Sequence, residues 1–304
     1  MAHPPIKKQE FLGAVTLVSF SSNGSLLYVG ERAEAAQDHR ILGLTTFAMP
    51  TASDAYRLVA ACNSEGSTQL LLLDVNHGNL FKIGDCHLAS RKPILSCVGF
   101  QEGDGDVVMA GLAVGSTDGL VTVWDFSDLL KEITLLLRSD EDLGQYKTKL
   151  QKVIGELQPS GNYLAHDMGV NCINLVSCKK SKEAGSLDVT LISGGDDQNL
   201  NLRELQFPAC QMLTEARTVN ASGSAIKAVA CVDAETIFAA GYDQRVSKWG
   251  IRRNENGTEL EWQGAAFSEC ADIADLAIRQ IETGTADEVV VVGQGLQMMQ
   301  FQRE

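Results

Sequence analysis

Proline is scarce in this chain, six residues in 304, and aromatic residues make up only 6% of it. Such a composition excludes a collagen-like or proline-rich extended protein, and at 44% hydrophobic and 21% charged it also excludes a disordered one. No apolar run nears the roughly 18 residues needed to cross a bilayer as a helix. The longest, around Leu70–Leu73, is the size of a strand. No apolar stretch of signal-peptide type follows Met1-Ala2-His3-Pro4-Pro5. The eight cysteines (62, 86, 97, 172, 178, 210, 231 and 270) include no C-x-x-C pair and have no histidine at zinc-ligand spacing. Most sit in apolar runs such as Ile226–Cys231, where a thiol behaves as a small hydrophobe. Free thiols in that number, without a leader, point to a reducing compartment, so a cytoplasmic location is expected.

Positive charge is also in short supply. Lys and Arg number 25 against 39 Asp and Glu, a net charge of −14. Nucleic-acid affinity comes mostly from clustered Lys and Arg, and here the basic groups are scattered: Lys7-Lys8, Arg91-Lys92, Lys179-Lys180-Lys182 and Arg252-Arg253. Direct binding of a phosphate backbone is not expected. No G-x-x-x-x-G-K-[ST] loop, G-x-G-x-x-G fingerprint, H-E-x-x-H helix or G-x-S-x-G elbow occurs. With five histidines, general bases are few. The expectation is a protein that is not an enzyme, with no catalytic, cofactor-binding or metal-binding residue and no cofactor.

What the chain does have is repetition. Short β-branched runs stop at Gly, Asp or Asn turn chemistry and then resume. Ala113–Gly119 leads into Leu120–Asp125, Leu191–Gln198 into Asn199–Glu204, and Phe238–Gln244 into Arg245–Trp249. In each, an Asp (Asp118, Asp197, Asp243) stands six residues before Trp124, Arg203 or Trp249. Weaker copies run through Ala60–Asp74 and Val289–Phe301, with turns at Glu65 and Gln294. The turns lie about 50 residues apart, one four-stranded blade plus a loop, except for one gap of about 80. That gap holds leucines at helical spacing: Leu129, Leu130, Ile133, Leu136 and Leu137, then Leu150, Val153, Ile154 and Leu157.

The fold class that follows is all-β: a WD-repeat β-propeller of five to seven four-stranded blades, one domain over 1–304, with a helical insertion at about 127–160. A lone four-stranded sheet is marginal, and stacking blades around an axis covers both its faces. The insertion is expected to lay its apolar stripe on the propeller rim, with a partner-binding arm as the alternative. Nothing remains after Glu304 for a fourth strand in the last blade, so a strand around Val15–Phe20 is expected to supply it. The structural WD positions are Asp118, Trp124, His166, Ser193, Asp197, Asp243 and Trp249. His166, Ser193 and Asp197 fit three roles of the hydrogen-bonded chain of one blade, with Arg203 where tryptophan is usual. They could also suggest a hydrolase triad, but the spacing and the missing elbow favour the structural role.

Beyond the repeat, the sequence resembles the C-terminal portion of the WD repeat-containing protein 6 family. The matching residues are Gly115–Gly119 through Asp125, Ala165-His166 with Gly169–Asn171, and Asp243–Arg245 through Trp249. Asp272–Leu276 and Gly293–Leu296 weigh more, because generic WD repeats do not predict them. Coverage is good from about Val107 to Phe301. The resemblance implies a non-catalytic adaptor that binds a tRNA 2′-O-ribose methyltransferase and supports methylation of the wobble nucleotide, position 34. Family members are long chains of several propellers and this chain is the size of one, so it is read as a fragment, a short gene model or one domain of such a chain. Its acidity turns the expected contacts toward the enzyme or sister propellers, with tRNA met indirectly. A general WD scaffold for signalling or trafficking is the alternative.

Overall fold

The computed structural model describes residues 15–20, 27–31, 40–49, 55–77, 79–104, 107–138, 143–255, 257–280 and 286–303. Two short strands, β1 (Val15–Phe20) and β2 (Leu27–Glu31), pair with each other. Four complete antiparallel blades follow. The first is β3 (Ile41–Ala48), β4 (Tyr56–Asn63), β5 (Ser67–Asp74) and β6 (Asn79–His87). The second opens with β7 (Ile94–Asp104), β8 (Val107–Ser116) and β9 (Leu120–Asp125). It then leaves the sheet for α1 (Ser127–Arg138) and α2 (Leu143–Glu156), and returns as β10 (Pro159–Leu164). The third is β11 (Val170–Lys180), β12 (Leu187–Gly195), β13 (Leu200–Phe207) and β14 (Gln211–Thr218). The fourth is β15 (Ile226–Cys231), β16 (Thr236–Gly241), β17 (Arg245–Asn254) and β18 (Gly257–Phe267). A fifth blade is built from β19 (Ala271–Gln280) and β20 (Ala286–Gln302).

The all-β propeller is thus present, but only four of its sheets have four strands among the described residues. The first strand of each blade lies on the inside. β3 is beside β7, β7 beside β11, β11 beside β15, β15 beside β19, and β19 beside β1. All six inner strands carry a register irregularity next to their first residue, at Val15, Ile41, Ile94, Val170, Ile226 and Ala271. The repetition therefore extends to a bulge that no short motif announces.

Two sequence expectations meet different outcomes at the closure. β20 pairs with β19 only as far as Gln294, yet Asp287 and Arg303 are joined at 2.6 Å. An extended run of that length would hold them about 50 Å apart. The chain therefore doubles back at Gly293–Gly295, where Gly295 has φ +119° and a Cβ on Gly293 would lie 2.5 Å from the Ala271 and Asp272 carbonyls. The turn expected at Gln294 is there, inside one continuous extended element. The expected closing strand is not: Val15–Phe20 pairs with β2 rather than completing the last blade, and lies against β19 and β20.

Burial between blades explains the packing. The apolar faces form four clusters, each spanning neighbouring sheets, and edge-to-face phenylalanine pairs mark three of the junctions. These are Phe47–Phe126 at 5.6 Å, Phe100–Phe207 at 5.0 Å and Phe238–Phe301 at 4.8 Å between ring centroids. Gly111 cannot be larger, because a Cβ there would sit 2.2 Å from Phe100 Cζ.

The helical insertion joins the third and fourth strands of its blade. The Asp125 carboxylate accepts the Ser127 amide at 2.9 Å and so caps α1. Leu129, Leu130 and Ile133 from α1, with Leu150 and Ile154 from α2, are buried in the cluster shared by the first two complete blades. Their spacing puts them on one face of each helix, and that face lies against β8 and β6 rather than open to a partner. Leu130→Ala should therefore cost about 2–5 kcal/mol in urea unfolding, the usual range for a buried leucine. An arm that merely projected from the rim would lose almost nothing.

Candidate functional site

The turns between second and third strands, and the connections entering each inner strand, gather at one end of the propeller. Tight turns there need a left-handed residue after the acidic one, and four blades supply it: Gly66 (φ 73°), Gly119 (81°), Gln198 (65°) and Gln244 (58°). Asp118 accepts the Ser116 hydroxyl at 2.5 Å within its own turn, and Asp243 accepts the Ser222 hydroxyl at 3.0 Å from the connection entering β15.

In the β11–β14 blade the network goes deeper. His166 Nδ1 lies 2.8 Å from Asp197 Oδ1, and its Nε2 lies 2.9 Å from Ser193 Oγ. Burial pushes the His166 imidazole below its ordinary pKa, although the Asp197 bond pulls the other way. The ring is therefore neutral at pH 7. Because a carboxylate only accepts, Nδ1–H donates to Asp197 and Nε2 accepts from the Ser193 hydroxyl. Burial also works to raise the Asp197 carboxyl, but bonds from the Asp167 amide and His166 outweigh it, and the net shift is downward. Arg217 Nη2 completes the cluster, 2.7 Å from Asp167 and 3.0 Å from Asp197.

This geometry shares its contacts with a hydrolytic triad but not the access. His166 is 0% exposed and Ser193 2%, so no substrate carbonyl reaches the hydroxyl. The bonds tie the entry to β11 onto the β12–β13 turn.

The third-strand position differs between blades. Trp124 and Trp249 are buried there, and Trp249 Nε1 donates to Ser247 Oγ at 2.9 Å. Arg203 takes the same place in β13, stacking 4.2 Å above the Tyr163 ring and bonding Glu215 Oε1 at 2.6 Å. A planar guanidinium thus fills a slot that elsewhere takes an indole. Sequence reasoning missed Arg217, Asp167 and Tyr163, since none lies in the repeated motif and only the strand ladders bring them in.

Asp272–Leu276 and Gly293–Leu296 also come together. Ala271 pairs with Gln294, and the Gln294 side-chain amide donates to the Asp272 carboxylate. Among the described residues no group of His, Cys, Asp and Glu could hold a metal ion, and no helix is long and apolar enough to cross a membrane.

Against known proteins, no family model matches the chain. No curated protein matches it either. Solved structures do resemble it. One is a crystal structure of the Chaetomium thermophilum polycomb repressive complex 2, at TM-score 0.51 and 12% identity, matched over 83% of this chain and 48% of that one. Another is a crystal structure of RRP9 WD40 repeats, at TM-score 0.51 and 13% identity, matched over 91% of this chain and 72% of that one. The chain spans about half the length of the first of these. At such identities the likeness concerns the fold alone, and that fold is the WD40-repeat β-propeller.

The buried histidine makes a pH prediction. Its folded pKa lies below the ordinary value of 6.5, so the unfolded state takes up a proton first as pH falls. Stability contributed by His166 is complete above about pH 7 and declines as pH drops through about 6.5. The Asp197 contribution is lost lower, as its carboxylate protonates. Thermal unfolding between pH 8 and pH 5 should show a falling Tm, and His166→Gln should flatten that slope. An unchanged slope in the variant would place the titration elsewhere.

Proposed function

We propose that this chain is a non-catalytic docking subunit, a WD40 propeller that holds a partner protein on its rim and turn-end loops. The partner proposed is a tRNA 2′-O-ribose methyltransferase, and the modification supported is methylation of the wobble nucleotide, position 34. The observation that carries this narrower reading is the pair of stretches Asp272–Leu276 and Gly293–Leu296, which a generic repeat does not require. Their mutual packing makes them one local feature of the fifth blade rather than two coincidences. The fold supports docking in general, since a rigid ring can hold catalyst and substrate in register without doing chemistry itself. The net charge of −14 supports contact with the enzyme rather than with tRNA, which this reading has the chain meet only indirectly.

Affinity purification of the chain from its own cells should recover a ribose methyltransferase. Deleting the gene should abolish 2′-O-methylation at position 34 while leaving other tRNA ribose methylations intact. Intact methylation at position 34 would refute the narrower reading. Recovery of signalling or trafficking proteins in place of the enzyme would make the propeller a scaffold of another pathway.

A further inference from the structure

The third and fourth complete blades can be matched residue by residue through their ladders. Val170 pairs with Gly195 in one, and Ile226 with Gly241 in the other. Ser222 therefore stands where His166 does, Gly223 where Asp167 does, Ala239 for Ser193 and Asp243 for Asp197. A shared bond supports the match: the Asp167 amide donates to Asp197 at 3.1 Å, and the Gly223 amide to Asp243 at 3.0 Å. On the outer side Asn201 pairs with Arg217, and Ser247 with Ala265. Ala265 is thus the counterpart of Arg217.

In the third blade the turn carboxylate is held by an imidazole and a guanidinium. One blade later both are cut back, to Ser222 and Ala265, and Ser193 is reduced to Ala239. All three small residues line a single open cleft of about 470 Å³, together with Asp243, Ser247 and Trp262. Asp243 keeps bonds from the Ser222 hydroxyl, the Gly223 amide and the Arg245 amide at 3.0, 3.0 and 3.2 Å. Among the described residues it has no cationic partner, whereas Asp197 has Arg217. Trp262, on the wall of the cleft, is 60% exposed.

We propose that this cleft is a docking site for an arginine side chain of a partner protein, with its guanidinium on Asp243 and stacked on Trp262. The sister blade supplies the chemistry, since it fills the equivalent space with nitrogen donors from its own chain. Lysine would meet the carboxylate as a point charge, but a planar guanidinium meets both the carboxylate and the indole face. Exposed Arg245 lines the same cleft and opposes an incoming cation. The presence of a partner rests on the docking reading above, while the cleft itself can be tested without one.

The probe is N-acetyl-arginine methylamide, titrated into the full chain while the indole N–H resonances of its three tryptophans are followed by NMR. Its uncharged isostere, the citrulline amide, is the control. The Trp262 resonance should move saturably with the arginine amide in the millimolar range and stay still with citrulline. Asp243→Asn should weaken the response about tenfold, the scale of one charged hydrogen bond. Arg245→Ala should strengthen it several-fold. Since Asp243 also anchors its turn, Ala265→Arg is the second variant: it fills the cleft from within, and should abolish the response while raising Tm. An equal response to citrulline, a response that survives both Asp243→Asn and Ala265→Arg, or a silent Trp262 would each overturn the proposal. None of these bears on whether a methyltransferase co-purifies, so the two readings fail separately.

Discussion

A blade has two apolar faces and can bury them only against its neighbours, so every other feature of this propeller is subordinate to the junctions between inner strands. Those junctions are stitched as well as packed. Gln101 of β7 exchanges two hydrogen bonds with the Ala48 backbone of β3, at 2.9 and 2.8 Å, and Thr45 accepts the Gly99 amide at 3.2 Å. Further round, Ser96 donates to Val170 O at 2.9 Å, Asn171 to Ile226 O at 3.0 Å and Asn174 to Val229 O at 3.1 Å. Each uses a polar side chain on one inner strand to reach backbone on the next, which sets the register between sheets that share no ladder. Apolar burial supplies the driving force but is non-directional. The hydrogen bonds supply the direction, and leaving a buried partner unmade costs more than the bond itself contributes.

Given fixed junctions, the turn end becomes a set of comparable sites around one axis, and differences between blades acquire meaning. The third blade closes its site completely, with His166 buried under Asp197 and Arg217 laid across the top. The fourth keeps the same turn but with small residues in place of both nitrogen groups. A blade that needs its network for stability and one that leaves the corresponding space open are thus built on a single template. Local chemistry at the turn end thus varies from blade to blade while the fold stays constant.

The sequence made some of this legible and hid the rest for physical reasons. The repeated turn could be read because its chemistry is local: an acidic residue, a residue able to adopt positive φ, then a β-branched strand, as at Asp118-Gly119-Leu120. The insertion could be read because Leu129, Leu130 and Ile133 follow helical period over a stretch where the strand pattern stops. The partner of Val15–Phe20 could not, because the strand's own residues do not say whether it pairs with the next strand, as it does with β2, or closes onto a distant blade. Nor could Arg217 be placed beside Asp197, since 20 residues and the whole of β13 separate them and only the β13–β14 register brings them together.

The open cleft in the fourth blade lies at the limit of that legibility. Ser222 is an unremarkable loop serine until the bulge after Ile226 fixes which residue of the preceding loop faces the turn carboxylate. Ala265 is one of several alanines until the ladder sets it opposite Ser247, as Arg217 is opposite Asn201. An absence has no motif and shows only against a copy in which the same position is filled. Repeat proteins carry such copies within one chain, so the filled blade acts as an internal reference for the open one.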